Sequence, residues 1–564
     1  MKTFSTLLFV MLLLSSATAH AQETGSISGQ VVTDSGRPLS NFSINISSIG
    51  SGSRGVSRST STDAEGRFEF NNLPNRSYNI FPSARKGYVL EPPARLGGLR
   101  LGENVTIRMT KGGVITGRVT DPNGGPLVSL SVSAIRIRDQ EGKKVSGGGS
   151  GSPSATDDRG VYRLYGLQPG TYLVVAGGGQ SVTVPALSPY YGDVPTFHPS
   201  STRDTAAEIK VGNGEEVSGV DIRYRGETGR VVSGKISGGE TTQAIANVVL
   251  RHAQTGAITG GTFVTPTQTQ SGFAIASIPD GEYELTATRG NPDSGEFFYS
   301  EPRRVTVKGA DVTGIELRLT PAASIAGRLT LEKSPNVCDP KLQMQLEDTS
   351  VFALRDDPLG TGTMSSGTPS GRNDSPDEKG EFKISNLKAG RYRFNANLRN
   401  ETWFVKSISV QAPAGKAATA KPAVNDLSRT GLTLKSGENF SGVTVIAADG
   451  GASLQGKVET KVGAKPLTRA VIHLIPAEPT AADDLLRYVE RGLNNKGEFA
   501  FNNLAPGKYW LLVRALPGSD EPERPIPPAH WDATERARLR KDAEAGHEIE
   551  LKPCQRVKDH MLQK

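Results

Sequence analysis

Near the C-terminus, His547-Glu-Ile-Glu550 has the His-x-x-Glu spacing that puts two side chains on one zinc ion in hydrolytic metal centres. That chemistry also needs a distant third ligand and a separate carboxylate base. Only His560 follows, and the four residues read as an exposed strand, so no zinc is expected there. The seven histidines are scattered, and no two of them have zinc-ligand spacing. No Gly-x-Ser-x-Gly elbow, phosphate loop or dinucleotide fingerprint stands between a strand and a helix. The expectation is a non-enzymatic chain with no catalytic residue, metal or cofactor.

Two other sets of residues could do something. Cys338 and Cys554 are the only cysteines. In an oxidising compartment they would form a disulfide stapling successive domains; as isolated buried thiols they would do nothing, and both readings stand. The second set lies in Ser188-Pro-Tyr190-Tyr191-Gly-Asp-Val-Pro-Thr-Phe197-His198-Pro199, a proline-bounded stretch with no apolar alternation. Tyr190, Tyr191 and Phe197 either cover an open sheet edge of their own domain or form an exposed contact patch for a partner.

The elements that carry these residues repeat. A block of one design occurs five times: Asp63-Ala-Glu-Gly66-Arg-Phe68-Glu-Phe70 to Tyr78, Asp157-Asp-Arg-Gly160-Val-Tyr162-Arg-Leu164 to Tyr172, Gly272-Phe-Ala-Ile275 to Tyr283, Asp377-Glu-Lys-Gly380-Glu-Phe382-Lys-Ile384 to Tyr392, and Gly497-Glu-Phe499-Ala-Phe501 to Tyr509. In each, a Leu or Ile (73, 167, 278, 387, 504) stands five residues before the Tyr. Asp-x-x-Gly is a turn whose Asp caps nearby backbone N–H groups and whose Gly accepts positive φ. The alternating pair after it is one face of a half-buried strand. A second turn (Gln168-Pro-Gly170, Pro279-Asp-Gly281, Lys388-Ala-Gly390, Ala505-Pro-Gly507) then launches a Tyr-x-apolar strand. Such a pair of strands is the heart of a β-sandwich, and five in register make a tandem array.

Upstream of each block lies a strand with glycine in mid-run: Ile27-Ser-Gly29-Gln-Val31, Ile115-Thr-Gly117-Arg-Val119, Val232-Ser-Gly234-Lys-Ile236, Ile325-Ala-Gly327-Arg-Leu329 and Leu454-Gln-Gly456-Lys-Val458. The glycine should leave room for a large neighbour, the Tyr of the later strand. Domains close with a Gly-Glu-x-Val type of strand, as at Gly102-Glu-Asn-Val105 and Gly214-Glu-Glu-Val217. In the last copy, Ala533 to Ala545 is rich in helix formers, with a capping-box spacing at Asp532-Ala-Thr-Glu535 and Gly546 as a stop. Leu539 and Ala543 should share its inner face. His547-Glu-Ile-Glu-Leu551 would then be the closing strand of the last domain, with the helix an insertion before it.

Together the Gly-x-Val opening, the Asp-x-x-Gly-x-Phe-x-Phe turn-strand and the Leu-x-Pro-Gly-x-Tyr hairpin resemble the carboxypeptidase regulatory-like domain. The resemblance implies an all-β fold: about five Ig-like or prealbumin-like sandwiches close to B-type repeats, with a short helix near the C-terminus. It also implies a non-catalytic module, a relation to carbohydrate-binding-like folds, and in some B-type repeats a Lys–Asn isopeptide bond, for which no convincing trio stands out here.

Length and composition agree. Five modules in 564 residues give about 113 each, an ordinary domain size. The 65 glycines and 35 prolines suit a turn-rich all-β chain. A formal charge of +7 is modest at this length, and no basic stripe interleaves with aromatics, so nucleic acid is not an expected partner. Lys2, the apolar run Leu7 to Leu14 and Ala19-His-Ala21 read as a signal peptide over residues 1–21, too short in its apolar part to span a membrane. The mature chain should be exported, to a periplasm or outside the cell, with no transmembrane segment. Domains are expected near 22–111, 112–228, 229–320, 321–450 and 451–564. Two functions follow from this reading: an exported structural or adhesive scaffold meeting an envelope protein or polysaccharide, or a carbohydrate-binding protein. The second is short of platforms, with three Trp (403, 510, 531) and 6% aromatic residues.

Overall fold

The computed structural model describes Thr24 to Gln563 apart from residues 49–55, 75–77, 83–86, 91–95, 98, 141, 143, 150–152, 179–189, 191, 240–243, 255, 266–271, 292–295, 334–337, 339–343, 345, 347–348, 357–371, 374–375, 399, 412–423, 460–469, 494–496 and 516–527. The signal-peptide expectation and Tyr191 lie outside these residues.

Each repeat folds as two facing layers of strands with the same pairing rule; in the third, the strand Glu296–Ser300 joins the layers into one continuous sheet. In the first sheet the opening strand lies beside the strand that follows the Asp-x-x-Gly turn. These antiparallel pairs are Thr24–Thr33 with Arg67–Pro74, Gly113–Thr120 with Val161–Leu167, Arg230–Ser237 with Gly272–Ile278, Ala323–Glu332 with Glu381–Leu387, and Ala452–Glu459 with Glu498–Leu504. On its other side the opening strand meets the closing strand. That pairing is parallel for the closing strands Glu216–Val217 and Ile222–Arg223 of the second copy, each against Gly113–Thr120, and for Val312–Pro321, Asn439–Asp449 and Arg556–Gln563 in the later copies.

In the second sheet the Tyr strand pairs antiparallel with the strand that follows the opening strand. The pairs are Tyr78–Pro82 with Ser43–Ser48, Gly170–Ala176 with Ser131–Asp139, Gly281–Asn291 with Ala246–His252, Gly390–Asn397 with Ser350–Arg355, and Gly507–Ala515 with Ala470–Pro476. Alternation along these strands sends every second side chain inward, the pattern of facing sheets. The chain is a tandem array of prealbumin-like sandwiches. It forms two compact units: the first sandwich through Arg108, and a second unit that takes in Met109–Lys564.

The turns behave as their residues dictate. Gly66, Gly160, Gly380 and Gly497 take φ of 73 to 79°. Asp63 accepts from Arg67 N, Asp157 from Arg159 N and Val161 N, and Asp377 from Lys379 N and Glu381 N. The mid-strand glycine has a different neighbour from the one expected. Gly29, Gly117, Gly234, Gly327 and Gly456 stand directly across from Phe68, Tyr162, Phe273, Phe382 and Phe499. A Cβ on Gly29, Gly327 or Gly456 would come within 2.8 Å of that Phe ring and within 2.3 Å of a closing-strand carbonyl. Register within the first sheet brings the ring after the Asp turn over the glycine; the hairpin Tyr belongs to the facing sheet.

The last sandwich departs from expectation at its end. The helix Ala533–Ala543 forms, capped by the Asp532 carboxylate, which accepts from Thr534 N and Glu535 N at 2.9 Å. Leu539 and Ala543 are its buried residues, packed with Ile475, Leu485 and Tyr488. His547–Leu551, however, pairs antiparallel with the Tyr strand in the second sheet. The closing strand is Arg556–Gln563, which alone runs parallel to Ala452–Glu459. Hydrophobic alternation in His547–Leu551 marks an edge strand without saying which sheet it joins.

Candidate functional site

The five hairpin tyrosines are the most regular feature of the interior. Tyr78, Tyr172, Tyr283, Tyr392 and Tyr509 are 0–2% exposed. Each donates its hydroxyl to the main-chain oxygen four residues earlier, on Pro74, Gln168, Pro279, Lys388 and Ala505, at 2.5–2.8 Å. A buried phenol needs a partner for its O–H, and this bond also ties the second turn to its strand. Burial pushes the phenols of Tyr283 and Tyr509 up to about 12.

A second recurrent feature escaped the sequence reading. The residue before the block's Leu or Ile takes positive φ in every copy: Asn72 (54°), Gly166 (69°), Ser277 (65°), Asn386 (64°) and Asn503 (58°). At the same place the register with the opening strand slips, forming a β-bulge. The set Asn, Gly, Ser, Asn, Asn was the available signal, since these residues tolerate the left-handed region better than most.

In the fourth and fifth sandwiches this bulge faces the preceding sandwich. Tyr299, in a strand Glu296–Ser300 that pairs with both the Tyr strand and the closing strand of the third sandwich, donates to Asn386 O at 2.9 Å. Asn503 Nδ2 donates to Asn400 O and Trp403 O, each at 2.8 Å. The fourth and fifth sandwiches meet through charge as well. Arg393, almost buried, pairs with Asp356 at 2.9 Å and lies 5.3 Å from the centre of the Trp531 ring. Asp483 meets Arg429 at 3.0 Å and Arg536 at 3.5 Å.

The sequence candidates fall as follows. Cys338 and Cys554 are bonded to each other, with Cα atoms 5.2 Å apart across a separation of 216 residues. Thr196–Phe197 pairs with Val175 and Ala176 at the edge of the second sandwich. Phe197 is 5% exposed and packs on Leu173 and Val175. It is therefore no part of an exposed contact patch: its strand covers the sheet edge and its ring covers the outer sheet face. Tyr190 is half-buried against the second core, its ring 5.8 Å from that of Tyr224. Trp403 is 5% exposed, and Trp510 lies beneath the Arg540 guanidinium at 5.1 Å. His547 and Glu550, three apart on a strand, face opposite sides. Among the described residues, no group of three or more His, Cys, Asp or Glu side chains is placed to hold a metal ion.

These features define a tandem prealbumin-like sandwich protein. Residues 26–92, in the first sandwich, match the family model of the carboxypeptidase regulatory-like domain. No curated protein matches the sequence. Among solved structures, the chain is similar to the TIE protein of Bacillus anthracis at 16% identity, over 52% of this chain and 50% of that one, with a TM-score of 0.14. It is similar to GBS52, the minor pilin of Streptococcus agalactiae, at 13% identity over 36% of this chain and 95% of that one (TM-score 0.19). It is also similar to two B repeat units of the collagen binding protein of Staphylococcus aureus, at 14% identity over 76% and 100% (TM-score 0.13). The chain spans half the length of the TIE protein. Likenesses of this degree carry no argument about activity.

Proposed function

We propose that the chain is an exported, non-enzymatic scaffold at the cell envelope, five sandwiches with boundaries near 111, 228, 320 and 450, whose later sandwiches are held in fixed relation to one another. The observation that carries this reading is the linkage between successive sandwiches of the second unit. Hydrogen bonds from Tyr299 and Asn503, the Arg393–Asp356–Trp531 cluster and the Cys338–Cys554 bond all join one sandwich to the next. Side chains spent on fixing domain against domain suit a part that bears load or spaces others. The amino-terminal Lys2, apolar run and Ala19-His-Ala21 supply the export step. The contacting partner is an envelope protein or polysaccharide.

A glycan array probed with the mature, disulfide-intact chain tests the reading against its rival. Binding to no glycan, together with N-terminal sequencing that begins at Gln22, supports an exported scaffold. Saturable binding that is lost when an exposed ring is removed would replace the scaffold with a carbohydrate-binding protein.

A further inference from the structure

The closing strand of each sandwich carries one residue whose main-chain oxygen lies against the mid-strand glycine of the opening strand. That residue is Val105, Val220, Ile315, Val443 and His560 in the five copies. Four copies put an aliphatic side chain there, and Val220, Ile315 and Val443 are 1–9% exposed core residues. In the second to fourth copies a glycine of positive φ precedes it (Gly219, Gly314, Gly442); in the fifth, Asp559 takes φ of 55° instead. The bulge at this point, where Leu454 faces Val557 and Gly456 faces His560, sets the direction of the next side chain. The last copy therefore aims an imidazole from a place where its siblings build core.

What that imidazole meets is a second one. The ring centroids of His560 and His547 are 4.9 Å apart with 54° between their planes. The two residues sit at matching distance from the turn Lys552–Gln555, on strands that leave it in different sheets. Both strands are sheet edges, and His547 is exposed. His560 Nε2 is buried with no hydrogen-bond partner, an unfavourable state unless something supplies the missing bond.

We propose that His547 and His560 form a two-imidazole site for a borderline divalent transition-metal cation of the zinc and copper class, the ion clipping one sheet of the last sandwich to the other. Imidazole nitrogens are the ligands such ions prefer. Two imidazoles bound to one tetrahedral ion at roughly 2.0–2.1 Å have their centroids on the order of 5 Å apart, the separation found here. Water, or a side chain from a bound partner, completes the coordination. The His547-x-x-Glu550 spacing is irrelevant to this site, because Glu550 faces the other side of its strand; the second ligand arrives from the neighbouring sheet.

The test uses the full mature chain without an affinity tag, its disulfide intact, titrated calorimetrically with Zn2+ and with Cu2+. The expected result is saturable one-to-one binding, a rise in the melting midpoint of the last sandwich with added ion, and Cu2+-induced broadening of the His547 and His560 ring resonances. His547→Gln, at an exposed position, keeps the metal-free melting curve and loses the binding step; His560→Asn loses it too. Absence of binding by the wild-type chain, or undiminished binding after His547→Gln, overturns the proposal.

Discussion

Tyr299 donates its hydroxyl to the main-chain oxygen of Asn386, across the boundary between the third and fourth sandwiches. Asn386 is the left-handed bulge residue of its block. A bulge frees a carbonyl from ladder pairing, and the preceding sandwich supplies the donor that replaces it. The same position in the next block, Asn503, repeats the device with its side chain as donor. In the fourth and fifth repeats an irregularity inside the repeat thus becomes the docking point to the one before.

Removing the Tyr299 hydroxyl should loosen that junction without unfolding either sandwich. Burial pushes this phenol up to about 12, so it is a hydrogen-bond donor throughout the physiological range. Tyr299→Phe leaves the Asn386 carbonyl unpaired, and the expected loss is about 1 kcal/mol. Differential scanning calorimetry should show the third and fourth transitions moving apart. Transitions that stay superimposed on wild type would mean the bond does not couple them.

Asn503 allows backbone and junction effects to be separated. Asn503→Gly keeps the positive φ of 58° and loses both side-chain bonds to the fourth sandwich. It should weaken the fourth–fifth junction by about 1–2 kcal/mol. Asn503→Ala adds left-handed strain of roughly 1–2 kcal/mol and should be worse. Equal loss in the two variants would show that the amide does nothing at the junction.

Alkali should unfold the array through its tyrosines. The folded phenols of Tyr283 and Tyr509 stand near 12, above the ordinary value of 10, because burial disfavours the phenolate. A raised pKa means stability that is complete below pH 10 and is lost as pH climbs towards 12. Absorbance of tyrosinate should therefore rise together with loss of β-sheet circular dichroism. Titration at ordinary pH with the sheet signal intact would show that these rings are accessible. Tyr283→Ala, by contrast, should cost about 3–5 kcal/mol at neutral pH and unfold the third sandwich.

Acid should act first on the fifth sandwich. His473 and His530 are held down to about 4 and about 3, chiefly by burial. Glu490 stands 3.6 Å from His473 and would favour its protonation, but burial raises that carboxyl too, and Arg514 opposes a second positive charge. His530 is stacked on Tyr488 and faces Arg536 and Arg393. Depressed imidazoles give stability that is complete above about pH 6.5 and drains away as pH falls towards 4. His530→Phe should flatten that decline in the melting midpoint of the last sandwich. An unchanged acid slope in this variant would remove His530 from the account.

The fold was legible because its constraints are local and repeated. Asp157, Gly160 and Tyr172 each do a job set by residues within a turn of them, so spacing alone exposes it. The Asn503 junction and the His547–His560 pair were not legible, because each joins strands whose sheet assignment no local pattern decides. His547–Leu551 shows the difficulty: its alternation fits either sheet, and pairing with Lys508 and Tyr509 settles it. Phe197 illustrates the reverse error, since a ring in a polar, proline-bounded loop looks exposed until Val175 is found beneath it.

The Cys338–Cys554 bond should hold the fifth sandwich to the fourth more than it holds either together internally. Cys338 follows the opening strand of the fourth sandwich, and Cys554 sits in the turn between the last two strands of the fifth, its N–H donating to Gly450 O at the junction. Loop-closure entropy for 216 residues sets an upper figure on the order of 5 kcal/mol. The net effect should be smaller, because the Asn503 and Arg393 contacts already confine the two ends. Peptide mapping of the unreduced exported chain should recover the 338–554 cross-link. Cys338→Ser with Cys554→Ser should then lower the last melting transition and open the junction to protease, with the first sandwich unaffected. The outcome against this is clear: free thiols at both positions in the exported chain, or a double variant whose last transition and cleavage pattern match wild type.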